Sequence, residues 1–133
     1  MTELTMKVTT TKPYDETVSL VRDRLADAGF GILTEIDIAA TLKTKLDVDV
    51  EPQVILGACR PQLAHLALQA DPSIAALLPC NVVVRADGEG SIVEAINPQA
   101  MMGMAADASA ALREIADEAR ARLAGALDAV KDE

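Results

Sequence analysis

Aromatic side chains are almost missing from this sequence. Tyr14 and Phe30 are the only two, and there is no tryptophan. Single-stranded nucleic acid is usually held on aromatic platforms beside a basic groove, and neither is available here. Positive charge is scarce as well: 12 Lys and Arg face 21 Asp and Glu, for a formal net charge of −9. That is the wrong sign for neutralising phosphates, and it would be repelled by an anionic membrane surface. Apolar runs long enough to cross a bilayer are lacking, and MTELTMKVTTTKPYDE contains no apolar signal core. The expectation is therefore a cytoplasmic protein that uses neither nucleic acid nor membrane. The sequence also holds no P-loop, GxGxxG, GxSxG or HExxH, so phosphoryl transfer, dinucleotide binding and serine hydrolysis find no support.

The chain does have the means to fold. It runs to 133 residues, half of them apolar, with a mean hydropathy of +0.21. That is enough for a single domain over 1–133 with a buried core. Ala, Val, Leu and Ile supply nearly all of that core, which favours close helix–sheet packing. No internal repeat, linker or low-complexity tail interrupts it.

Periodicity orders the elements. Residues 4–12 alternate and carry Thr and Val, which predicts a first strand. Asp15 is placed to cap a helix that buries Val18, Val21 and Leu25 and stops at Gly29. Residues 30–38 read as a second strand, with Ile32, Ile36 and Ile38 on one side and Leu33, Glu35 and Asp37 on the other. A short helix or turn over 39–46 carries Lys43 and Lys45. A third strand over 54–59 runs into Arg60-Pro61, where proline suits the first position of a helix. Gly57 within that strand signals a close backbone approach or a bulge. Strands over 80–86 and 91–96 flank Asp87-Gly88-Glu89-Gly90, a hairpin signal. A last helix spans about 107–131 by the spacing of Leu112, Ile115, Ala119, Leu123 and Leu127. The resulting order, β-α-β-(α)-β-α-β-β-α, predicts a two-layer α+β domain. Its sheet has about five strands, mixed or mostly antiparallel, with helices on one face.

Four runs carry a family resemblance: LTEIDI (33–38), LKTKL (42–46), ILGACRPQLAHLAL (55–68) and LLPCNVVV (77–84). Together they resemble the family named domain of unknown function 302, over nearly the whole chain. The Gly-Ala-Cys-x-Pro turn and the Leu-Pro-Cys-Asn run are the most specific parts. The resemblance implies a compact α+β fold, commonly dimeric, with no settled activity and no catalytic residues to carry over. Arg60 departs from the pattern, since the family more often has Asn there.

Site candidates must therefore come from chemistry. In a reducing compartment Cys59 and Cys80 are expected as free thiols, and at 21 positions apart they form no CxxC motif. Cys59 precedes a helix start, where unpaired N–H groups favour a thiolate. If the strands over 54–59 and 80–86 are neighbours, the two thiols approach one edge of the sheet. The ordinary reading is that both are small buried hydrophobes. His65, the only histidine, would complete a Cys₂His set for zinc or copper, or serve as a base for Cys59; a histidine on a helix surface is the plainer account. Met101, Met102 and Met104 would suit copper(I), but packing or a dimer contact explains them more simply. Glu35 and Asp37 share a strand face near Lys43 and Lys45, the ordinary picture of a solvated sheet surface. Asn81 is placed either to donate to an anionic ligand or to pin a loop.

Three readings follow. The first is a domain that binds a small ligand or a thiophilic metal ion near Cys59, Arg60, Cys80, Asn81 and Lys43. The second is a thiol-dependent enzyme or redox protein with Cys59 as nucleophile and His65 or Lys43 as base. The third is a homodimeric interaction module that pairs through the last helix or the methionine segment.

Overall fold

A computed structural model describes residues 3–103 and 109–132. The elements are β1 (Thr5–Thr10), α1 (Tyr14–Asp27), β2 (Gly31–Asp37), α2 (Ile38–Leu46), β3 (Gln53–Cys59), α3 (Pro61–Ala70), a 3-10 turn (Pro72–Leu77), β4 (Cys80–Asp87), β5 (Gly90–Ile96), α4 (Pro98–Gly103) and α5 (Ala110–Asp132). The strands make one sheet in the order β1-β5-β4-β3-β2, with antiparallel pairing throughout. The predicted α+β order stands. The short α4 is an addition, and residues 104–108, with Met104 and the expected start of the last helix, lie outside the described residues.

Alternation along the strands divides the sheet into a helix-covered face and an open face. Val54, Leu56 and Ala58 of β3, Val82 and Val84 of β4, and Val93 and Ala95 of β5 are buried against Val21 and Leu25 of α1 and Leu123, Leu127 and Val130 of α5. Burial of these aliphatic groups, at about 25 cal/mol per Å² of apolar surface, supplies the main force holding the two layers together. β1 and β2 occupy opposite edges of the sheet, so α1, which joins them, crosses the covered face beside α5.

Turn chemistry fixes the junctions. Gly29, at φ +90°, ends α1: its N–H donates to Ala26 O, and Phe30 N–H donates to Leu25 O. This is the Schellman closure, and it requires a residue at ease with positive φ. Gly88, at φ +60°, opens the two-residue β4–β5 hairpin. Pro61 is the first residue of α3, as the sequence predicts.

Two local expectations are corrected. Asp15 does not cap α1. The helix starts at Tyr14 behind Pro13 without a side-chain cap, and Asp15 sits in the first turn, where its charge still suits the positive end of the helix. The faces of β2 are also not those of simple alternation. The register shifts between Ile32 and Thr34, leaving Leu33 without a partner in the ladder. Ile32 pairs with buried Ala58, whereas Ile36 pairs with Ile55, so the bulge sends the two isoleucines to opposite faces. Ile38 belongs to α2. The bulge lies opposite Gly57, the close approach anticipated from its glycine. A Cβ there would fall 2.1 Å from Thr34 Oγ1 and 2.7 Å from Pro79 Cγ.

Candidate functional site

The site forms where β3 ends and β4 begins. Ala58 pairs with Cys80 across the two strands, and both side chains are buried beneath the helices. Cys59, one residue further, takes the alternate side and pairs with Gly31 on β2. The strands over 54–59 and 80–86 are therefore neighbours, as the argument from the cysteines requires. The thiols share one end of the sheet, where Cys80 is buried and Cys59 partly so, and both are free.

Their electrostatics set them apart from activated cysteines. Burial pushes the Cys80 thiol up from its ordinary 9.0 to about 11, and the nearby Cys59 adds to the shift. Burial raises Cys59 as well. A position just before a helix favours the thiolate, but desolvation acts in the opposite direction on both sulfurs. Both are protonated near neutral pH, which weighs against a thiolate nucleophile.

Beside Cys80 the two packed clusters of the protein separate. One is the sheet–helix core. The other gathers Ala67 of α3, Ile74 of the 3-10 turn, Met101 and Met102 of α4, and Leu112 and Ala116 of α5. Between them lies a cleft of about 60 Å³. A single water needs roughly 10–15 Å³ of such space, so the cleft takes a short run of heavy atoms. Its origin is compositional: five of the side chains around it are alanines, Ala58, Ala64, Ala67, Ala116 and Ala119. Phe30 is the one aromatic at its wall. A lining this poor in polar partners holds water poorly and suits an apolar guest.

Among the described residues, Arg60 is the only charged one that lines the cleft. It is the N-cap residue of α3, without a side-chain capping bond. Its guanidinium lies across Gly29, where a Cβ would come within 2.0 Å of Nη1. Arg60 Nε stands 3.8 Å from Glu118 Oε2 and makes no hydrogen bond. Glu118 is held more closely by Arg122, at 3.0 Å.

The other sequence candidates fall elsewhere. His65 is exposed on α3 and does not line the cleft. Lys43, on α2, pairs with Asp47 at 2.9 Å and with Asp49 at 3.4 Å. Asn81 pairs with Gly57 and belongs to the open face, where it lines a separate groove with Thr5, Pro79 and Glu94. Glu35 pairs with Arg22, and Asp37 caps α2 by accepting from Ala40 N–H at 2.9 Å. Met101 and Met102 are buried in the cleft wall, so the methionine segment is internal over its described part. Among the described residues, no group of three or more His, Cys, Asp and Glu side chains is gathered as a metal ion requires. No helix among them is long and apolar enough to cross a membrane. Sequence reasoning missed the cleft-lining alanines. Their signal was present in the repeated Ala at 64, 67, 116 and 119, of which only Ala119 belonged to the stripe predicted for the last helix.

A five-stranded antiparallel sheet with helices on one face and an apolar cleft at one end of it defines a small two-layer α+β domain. The chain belongs to the family described as domain of unknown function DUF302, which it matches over residues 6–130. It is similar to the crystal structure of an uncharacterized conserved DUF302 protein from Bacillus stearothermophilus. The identity is 30%, the TM-score 0.87, and the match covers 96% of this chain and 98% of that one. Among curated proteins, none matches the chain.

Proposed function

We propose that this protein binds a small apolar ligand in the cleft bounded by the β3–β4 end of the sheet and by α3, α4 and α5. The observation that carries the reading is unfilled space with an aliphatic wall between two well-packed clusters. Protein interiors are close-packed, and a void lined by Ala58, Cys80, Met102 and Ala116 forgoes dispersion contacts that a guest would restore. Cys80 then acts as an apolar wall atom, in keeping with its protonated state. The test is an NMR titration with 1-hexanol. Saturable shifts of the Met101 and Met102 methyl signals are expected, and Ala116→Leu, which fills the cleft, should abolish them. Methyl signals that stay unmoved at millimolar alcohol would refute the reading.

A second reading, a homodimeric module without catalytic activity, is supported by a different observation. Leu33, Ile36, Leu46, Val48 and Val50 are all left exposed between β2 and the approach to β3. Sedimentation equilibrium at micromolar concentration decides it: a dimer that Val48→Lys dissociates supports the module, and a monomer throughout rejects it.

A further inference from the structure

We infer that the cleft is built for an amphipathic monocarboxylate, a short straight alkyl chain that enters the apolar space while its carboxylate lies on the Arg60 guanidinium. This inference rests on the reading of the cleft as a ligand site and names the ligand class.

Three observations lead to it. Among the described residues the wall is apolar except at one, and that residue is a cation, Arg60. A polar head is needed to orient a chain in such a space, and the only charged head the wall can match is an anion. Next, Arg60 is held in place but poorly partnered. Its side chain is 19% exposed, its guanidinium is seated on Gly29, and its Nε is buried without a hydrogen bond. The 3.8 Å pairing with Glu118 is loose, because Glu118 already lies 3.0 Å from Arg122. A ligand carboxylate would supply Arg60 with the acceptor it lacks, and Glu118 would keep Arg122. Finally, the head group should carry one charge. A single planar guanidinium matches a carboxylate edge with two parallel N–H donors. A phosphate dianion would bring more charge than one arginine neutralises, in a protein of net charge −9. The small space, about 60 Å³, favours a short alkyl tail over a bulkier group.

The experiment is calorimetric titration of the full chain with hexanoate, 1-hexanol and hexylammonium, then with the carboxylate series from butyrate to decanoate. Hexanoate is expected to bind about tenfold more tightly than 1-hexanol, the share of a charge-assisted hydrogen bond that survives desolvation. Affinity should rise about fourfold per added methylene until the chain outgrows the cleft, then level off. Arg60→Gln should erase the preference for hexanoate over hexanol. Saturable hexanol binding by the variant also shows that it is folded and its cleft intact. Equal affinity for hexanoate and hexanol, a preference for hexylammonium, or a hexanoate preference that survives Arg60→Gln would each overturn the monocarboxylate assignment and leave the apolar site standing. Binding of none of the three would overturn both.

Discussion

The raised Cys80 thiol makes the fold sensitive to alkali in a way that can be worked out in advance. The folded protein holds the proton to about pH 11, whereas the unfolded chain releases it near the ordinary value of 9.0. Below the unfolded value both states are protonated, and the group makes stability independent of pH. Above it the unfolded chain ionises first and is favoured, so stability is lost as the pH rises toward the folded value. Each unit of difference corresponds to about 1.4 kcal/mol, which sets a ceiling of about 3 kcal/mol. Roughly 2 kcal/mol of that should be gone by pH 11. The perturbation is Cys80→Ala, which keeps a small apolar side chain and removes the titration. The assay is urea unfolding of both proteins between about pH 8 and pH 11, read as the difference between them so that the other alkaline groups cancel. At about pH 8 the variant should be the less stable, through its lost packing. The gap should close by about 2 kcal/mol at the alkaline end. A gap that stays constant across the range would mean that Cys80 ionises as readily folded as unfolded, and that the cleft wall is wet. The same cause predicts slow alkylation: at neutral pH iodoacetamide should modify Cys80 far faster in urea than in the native protein.

Gly57→Ala places a Cβ 2.1 Å from Thr34 Oγ1 and 2.7 Å from Pro79 Cγ. It should cost about 1–3 kcal/mol as an overpacked site. Adding Thr34→Ala should return part of that in denaturant melts; full additivity of the two changes would show that the crowding is absent. Glu94 accepts from Thr5 Oγ1 at 2.5 Å and from Arg85 Nη1 at 2.9 Å, and these bonds, Thr5 first, hold its carboxyl below the ordinary 4.5. Its contribution to stability is therefore present above the unfolded value and lost as pH falls through the folded one. Glu94→Gln should lower stability at neutral pH by no more than about 1 kcal/mol, the group being partly solvated, and should flatten the acid limb of the stability profile. A variant whose acid limb matched that of the parent would show that Glu94 is not the group responsible.

The legibility of this fold follows the range of the forces involved. Strands and helices follow from short-range patterns such as the inward aliphatics of β3–β5 and the 3.6-residue stripe of α5, and these appear in the structure close to where the spacing places them. Gly29, Gly57, Pro61 and the Gly88 turn were readable because each answers a local stereochemical demand. The β2 faces were not, because a bulge is decided by the partner strand. Leu33 leaves the ladder where Thr34 and Pro79 lie close against the bare Cα of Gly57, on another strand. Alternation read along one strand cannot contain that information.

The site was legible by the same rule. Cys59 and Cys80 were brought to one end of the sheet by neighbouring strands, which sequence reasoning had made conditional on that pairing. Among the described residues no three such side chains gather as a metal set. His65 points away from a helix whose inward positions are Leu63 and Ala67, and Lys43 is held by its own loop through Asp47 and Asp49. What takes their place is a property of the composition as a whole. A core nearly without aromatics must fill the junction of a sheet and three helices with short side chains, and where alanines from β3, α3 and α5 meet they leave space. Replacing Ala64 with Leu tests that origin directly. Its side chain is partly buried on the α3 wall and can grow into the void without displacing backbone. Three extra carbons cannot cost overpacking energy where there is nothing to push against. Ala64→Leu is therefore expected to raise stability by about 1 kcal/mol in denaturant melts and to compete with any guest. Destabilisation by a similar amount would mean that the cleft is already closed in solution.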